Sequence, residues 1–553
     1  MELTLSTRRA DARRRVMRAA TLAASAAATL VSAAPATAHP SAGLVPGSLL
    51  VSSSSYRTAN VVPGQTLPVG CRPTSDFGGV TCATAAFDGT YPTVFNNAPI
   101  DPSFGITSPI FLDELAPDGS PLRRVEVPTR DMVTSFSSKS ELALNFDASG
   151  HNLTFMGYAA PVDAIDVSNS NTPAVLDPSN PVPQSYYRVV ADLNRAGGVT
   201  YTDTNAYSGN NGRAAILDDR TNNVYAAGNA GNGNSPEPDG VILGAGAQIF
   251  PAGYRALAPP TPFASFNVTQ LNNPTQDPPD KIGKDTNFRG LRIYHDVVYM
   301  TKGSGGNGVD TVYFVDTTGK ACPGTGVGVP QPGAPMPSDI PQTPSELANL
   351  QTEGVTPYNM CILRGFPTIS QKSKSPTPPA NTPFGLFFAN PTTLYVADEG
   401  DGSTTFDPST SLYTDAAAQT IAGLEKWVFD GTTWKLAYTL DRGLDLGQPY
   451  TISGYPTGTN AATGLPWAPA TDGLRNLAGQ VHRDGTVTVY AVTSTVSGSG
   501  DQGADPNQVV AITDNLVSHT LPGAERFRTV ERARSGQVLR GVAIVPTGFA
   551  EHR

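Results

Sequence analysis

Charge is scarce in this chain: Asp, Glu, Lys and Arg together make up 15% of 553 residues. What charge there is leans acidic, with 47 acidic against 37 basic residues. Beyond the first 38 residues there is no Lys/Arg run, which argues against an electrostatic grip on nucleic acid or an anionic membrane. No segment beyond that leader approaches the apolar length that spans a bilayer. Histidine is sparse, six in all. No two have the spacing of metal ligands or of a base beside a nucleophile, so neither a His-rich metal site nor Ser-His-Asp chemistry is supported. There is no GxSxG elbow, no P-loop and no GxGxxG opening a helix. Cysteine is limited to four, without CxxC spacing or a neighbouring His to suggest zinc. Any catalysis would fall to carboxylates, Tyr, Arg or a bound cation.

Gly and Pro are plentiful, 55 and 49 residues, and they punctuate a recurring phrase. In PFGLFFANPTTLYVADEGDG, Pro383–Gly402, a strand, a tight Asn390-Pro391 turn and a second strand run into a Gly/Asp loop. Leu424–Phe429 and Trp434–Leu440 follow, joined by the hairpin signal Asp430-Gly431. Similar phrases begin at Glu141, Asn211, Asn287 and Gly473. Four short antiparallel strands make one propeller blade, and recurrence at about 60–95 residues points to blades with long inserted loops. Leu49–Ser54 reads as a second strand lacking its first, followed by a hairpin of Ile110–Leu115 and Pro121–Val127. The missing first strand stands at the far end, in Leu539–Pro546, and pairing the two would leave no open sheet edge. The expectation is an all-β chain forming a single six-bladed β-propeller over residues 47–547. First strands fall near Glu141, Arg213, Arg289, Phe384, Arg475 and Arg540. Seven blades result if Phe263–Leu271 or the segment around Thr451 hides strands.

Residues 1–38 read as a signal peptide: Arg8, Arg9, Arg13, Arg14, Arg15 and Arg18 precede an alanine-rich apolar run and an Ala36-Thr37-Ala38 cleavage pattern. The leader holds six basic and two acidic residues, so its removal leaves 31 against 45, a net charge of −14. Residues 39–46 read as a linker and 548–553 as a tail. The protein is expected to be secreted or periplasmic, without a membrane span, and monomeric. In that setting four cysteines imply disulfides Cys71–Cys82 and Cys322–Cys361.

Turns between first and second strands are short, whereas loops after second strands and between blades are long. In a propeller the two long classes share one face, which is therefore the ligand-facing one. Arg213, Arg289, Arg475 and Arg540 recur where inner strands begin, with Glu141 and Phe384 in the matching places. Converging guanidiniums suit a carboxylate, sulfate or phosphate; packing between blades is the other use. Asp398, Glu399 and Asp401, with Asp501 and Asp505, suit Ca2+ as the cofactor or serve as solvated turn acids. Trp467, Tyr450 and Tyr455 offer a stacking platform for a sugar ring or pin their own loop. Trp427 and Trp434, on strands, belong to packing.

With its LYVAD second strand at Leu394–Asp398, the phrase resembles secreted bacterial β-propellers such as sugar-lactone hydrolases, streptogramin-type lyases, NHL-like proteins and calcium phytases. The resemblance implies the fold and leaves the reaction open. The leading expectation is a propeller binding a small-molecule, carbohydrate or other anionic ligand at the channel mouth of its long-loop face. The alternatives are a hydrolase or lyase using carboxylates and Ca2+, and a cell-envelope protein-interaction scaffold.

Overall fold

In a computed structural model the protein is described from residue 43 to 547. Within that span 57–60, 62–64, 68–82, 86–104, 174–183, 230–245, 254–255, 259–260, 263–286, 304–308, 323–325, 332, 338–359, 369–380 and 500–501 are not described. The leader, the Cys71–Cys82 pair, Asp501, Phe263–Leu271 and the C-terminal tail lie outside the described residues.

Six sheets of four or five strands form the ring of a six-bladed β-propeller. Numbered in chain order of their inner strands, blade 1 carries Asn145–Phe146, Asn152–Tyr158, Arg188–Asn194 and Val199–Thr204, with Ala256–Ala258 added in parallel outside. Blade 2 carries Gly212–Asp218, Asn223–Gly228, Ala247–Pro251 and Thr261–Pro262. Blade 3 carries Leu291–Tyr294, Val297–Lys302, Thr311–Val315 and Met360–Leu363, with Val327–Gly328 parallel at its edge. Blade 4 carries Pro383–Asn390, Thr393–Asp398, Gly423–Phe429 and Trp434–Leu440, and blade 5 Ala470–Val481, Thr486–Val496, Gln508–Asn515 and Arg528–Arg532. No strand forms around Thr451.

Blade 6 joins the two ends of the chain. Its inner strand, Gln537–Ile544, pairs antiparallel with Leu49–Ser55, placing Leu49 against Ile544 and Val51 against Val542. Ile110–Leu115 and Pro121–Glu126 complete it. The closing strand is thus shifted two residues toward the N-terminus of the expected Leu539–Pro546, because Pro546 has no N–H to donate to a ladder.

Apolar side chains on alternating strand positions fill the spaces between blades. The largest cluster joins Val298, Met300 and Phe314 of blade 3 to Leu394, Val396 and Trp427 of blade 4. Trp427 stacks on Phe366 with centroids 3.9 Å apart, and Trp434 is 5% exposed, so both belong to packing. Near the axis the backbones themselves touch. A Cβ on Gly290 would lie 2.2 Å from the Phe384 carbonyl, and one on Gly541 2.4 Å from that of Leu142. Only glycine fits such approaches. The Cys322–Cys361 disulfide, with Cα atoms 6.2 Å apart, closes the long insertion between the third and fourth strands of blade 3. That connection leaves the ring at the end carrying the short turns. Among the described residues no helix is long and apolar enough to cross a membrane.

Candidate functional site

The four recurrent arginines are all buried at the long-loop end of the inner strands, each at most 5% exposed. Arg213 donates from Nη1 to the Phe288 carbonyl at 2.9 Å and to the Asn287 side chain, both at the start of blade 3. Arg289 donates to Ser140 Oγ and lies over the Phe384 ring of blade 4, 5.6 Å from its centroid. Arg475 Nε meets Glu399 Oε2 at 3.2 Å. Arg540 donates through Nε and Nη2 to Ser54 Oγ at 3.3 and 3.2 Å.

Ser140 belongs to the connection between blades 6 and 1, so the Arg289 bond bridges parts of the ring that are not neighbours. Residues 136–141 of this connection form a strap. Phe136 accepts from Ser54 Oγ of blade 6 at 3.2 Å, and Lys139 Nζ lies 3.9 Å from Glu399 Oε2, which follows the second strand of blade 4. Ser137, Ser138 and Ser140 are at most 1% exposed. Leu142 then takes a left-handed φ of 64° with its side chain fully buried. A bulky residue holds that conformation only where its surroundings impose it.

Glu141 differs from its expected place. It does not begin an inner strand: Asn145–Phe146 starts four residues later, after the Leu142 turn. Its carboxylate is fully buried, accepting Thr134 Oγ1 at 2.6 Å, the Ser135 N–H at 3.1 Å and the Tyr158 hydroxyl. Burial pushes its pKa up against those bonds and the field of Arg540. Behind Tyr158, Arg188 is buried under its ring and holds the carbonyls of Ser168, Ser170, Tyr186 and Asn210. Burial lowers the Arg188 pKa to about 10.

Glu399 is the electrostatic centre of the mouth. Burial works to raise its pKa, but Lys139, Arg289 and Arg475 together hold it below the ordinary value. The neighbouring carboxyls move the other way. Asp472, three residues before Arg475, accepts the Gly402 N–H at 2.9 Å and Gln419 Nε2 at 2.7 Å. Burial, then the charges of Asp401 and Glu399, raises it to about 7. Asp310 is paired with Lys302 at 2.6 Å, yet burial lifts it to about 6.

The described acids that were read either as a Ca2+ site or as solvated turn acids stand in different surroundings. Asp398 is bonded by Thr382 and Gly400, Glu399 faces the cations, and Asp401 is exposed. Asp505 is buried and accepts the Tyr455 hydroxyl at 2.6 Å. Trp467 is half-buried, edge-on to Tyr455 at 6.3 Å, with its backbone bonded to Gly458 within its own loop. Sequence reasoning missed Lys139, Asp310, Asp472 and Glu425. For Glu425 the signal was there, a Glu-Lys pair inside an otherwise apolar strand.

No protein-family model matches the chain, and no curated protein matches it. Among solved structures, a protein from Lactobacillus plantarum is similar at 10% identity and a TM-score of 0.29, over 80% of this chain and 81% of that one. A polysaccharide lyase of family PL25, an ulvan lyase bound to -[GlcA(1-4)Rha3S]-, is similar at 12% identity and 0.29, over 83% and 96%. A second structure of a PL25 ulvan lyase gives 13% identity and 0.30, over 86% and 97%. At these scores the likeness bears on no chemistry.

Proposed function

We propose that this is an exported propeller that binds an anionic ligand, a small acid or an acidic saccharide, at the channel mouth of its long-loop face. The observation carrying the reading is the convergence of Lys139, Arg289 and Arg475 from three parts of the ring on one carboxylate, Glu399. Arg213, bonded to the Phe288 carbonyl, and Arg540, bonded to Ser54 Oγ, add positive charge at the same end of the ring. In an otherwise acidic chain these clustered cations, set among low-dielectric walls, draw anions to the axis. Lys139 has a third of its side chain exposed and stands 3.9 Å from Glu399, so it is the cation best placed to turn toward a ligand. The Cys322–Cys361 disulfide and the leader pattern support export. Melting with uronate oligomers, sulfated oligomers and neutral oligomers of equal length tests the reading. Stabilisation by the charged oligomers alone is expected; equal stabilisation by neutral ones, or none by any, contradicts it.

A second reading has its own support. Asp472, with its pKa near 7, sits in the field of ionised Glu399. Carboxyls whose environments drive them apart make an acid-base pair, which suits a hydrolase or lyase acting on the bound chain. Chain cleavage by the native protein that is lost in Asp472→Asn supports this reading. Binding without cleavage leaves the first.

A further inference from the structure

Two carboxyl groups outside the Glu399 cluster lie buried together between blades 3 and 4. Glu425, on the third strand of blade 4, is paired in register with Val396, and Asp398 follows two residues along the same face of the adjacent strand. Both are essentially inaccessible, 0% and 1% exposed. Glu425 Oε2 accepts Trp427 Nε1 at 2.8 Å and Asn381 Nδ2 at 3.5 Å. Its other oxygen, Oε1, is buried with no protein partner. Asp398 accepts the Thr382 N–H and hydroxyl, both at 2.6 Å, and the Gly400 N–H at 3.0 Å.

Among the described residues no basic side chain balances the site. The next residue, Lys426, points the other way, into blade 5, where its ammonium is held by Asp514 at 3.0 Å and the Asn515 carbonyl at 2.7 Å. Burial and then the charge of Asp398 raise the Glu425 pKa, against the hydrogen bonds from Trp427 and Asn381. An uncompensated pair of buried carboxylates is costly, and Oε1 receives no hydrogen bond to offset its burial.

We propose that Glu425 and Asp398 form a binding site for a hard divalent cation of the Ca2+ class, with the Asn381 amide oxygen as an additional ligand after rotation of that side chain. The donors are all oxygens, the two negative charges match a divalent ion, and Oε1 supplies an open coordination position. Asn381 and Thr382 are half-buried on the long-loop side, which gives the ion its path in. The cation ties the connection between blades 3 and 4 to the second and third strands of blade 4. Its role is separate from ligand binding at Glu399. The competing account is a proton shared by the two acids, and the two accounts differ in what Glu425→Gln does.

The test uses the full chain, freed of metal by EDTA and titrated with CaCl2 at pH 8. The melting temperature of the native protein should rise and saturate, and the rise should vanish in Glu425→Gln while the variant stays folded. Tb3+ provides a readout independent of stability. Because Trp427 donates to Glu425, Tb3+ in the site should luminesce on tryptophan excitation, compete with Ca2+, and lose most of that signal in Trp427→Phe. Absence of a Ca2+-dependent rise in the native protein overturns the proposal. So does a rise of the same size in Glu425→Gln, or Tb3+ luminescence unchanged in both variants.

Discussion

Lys139, on the strap between blades 6 and 1, directs its ammonium at the carboxylate of Glu399 on blade 4, 3.9 Å away. Blade 4 is not adjacent to either blade that the strap joins, so this contact crosses the mouth of the ring. Together with the Arg289–Ser140 bond it makes the strap part of the channel mouth.

The buried half of the Glu399 network should be structural. Arg475 and Glu399 have side chains 4% and 6% exposed. Glu399→Ala leaves Arg475 buried without its charge, which costs about 3–5 kcal/mol. Denaturant titration should find a smaller Lys139→Ala loss, about 1 kcal/mol or less, since a partly exposed lysine 3.9 Å from its acid contributes little. Equal losses in the two variants would show that the arginine does not depend on Glu399.

Ring closure was legible because its signals are local: strand alternation, Asp430-Gly431, and an orphan strand at each end. The matching Arg-Gly phrases at Arg289-Gly290 and Arg540-Gly541 also located the inner strands, since glycine is required where neighbouring backbones touch. The mouth was less legible. Lys139 meets Glu399 across 260 positions of sequence, and nothing in either local pattern encodes a contact across the axis. The Asp398–Glu425 pairing depends on strand register, which the sequence does not state. Glu141 was misplaced because the Leu142 turn breaks the phrase it opens.

Closure should be sensitive to single atoms. Gly541→Ala puts a methyl against the Leu142 carbonyl, where the Cβ would lie 2.4 Å away. Overpacking of this kind costs about 1–3 kcal/mol. A variant as stable as the native protein would mean that the strap yields at this point.

Stability should fall as pH rises from mildly acidic to mildly basic in the presence of EDTA. Asp472 and Glu531 are raised to about 7 and Asp310 to about 6, chiefly by burial. Their ordinary values are about 4. The folded state therefore binds more protons, and stabilisation that is complete below pH ~4 is lost as pH passes through about 6–7. Glu399, held low, opposes this only at the acidic end. Denaturation midpoints measured between pH 5 and 8.5 should decline, less steeply in Asp472→Asn; a rising midpoint would contradict the assignment.

Removing the Cys322–Cys361 bridge by paired serine substitution frees an insertion closed across a sequence separation of 39 residues. The expected loss is about 2–4 kcal/mol, read as a lower denaturation midpoint in the non-reduced protein. No difference from the native protein would show that the insertion orders itself.

Calorimetric titration of the full chain with a uronate oligomer, at low and at physiological salt, tests the central claim most directly. The account predicts binding to the native protein that weakens as salt rises, and affinity at least about tenfold lower in Lys139→Ala, the loss of one charge-assisted contact, at an unchanged melting temperature. Native-like affinity in Lys139→Ala, or binding indifferent to salt, would contradict an anionic ligand at the channel mouth.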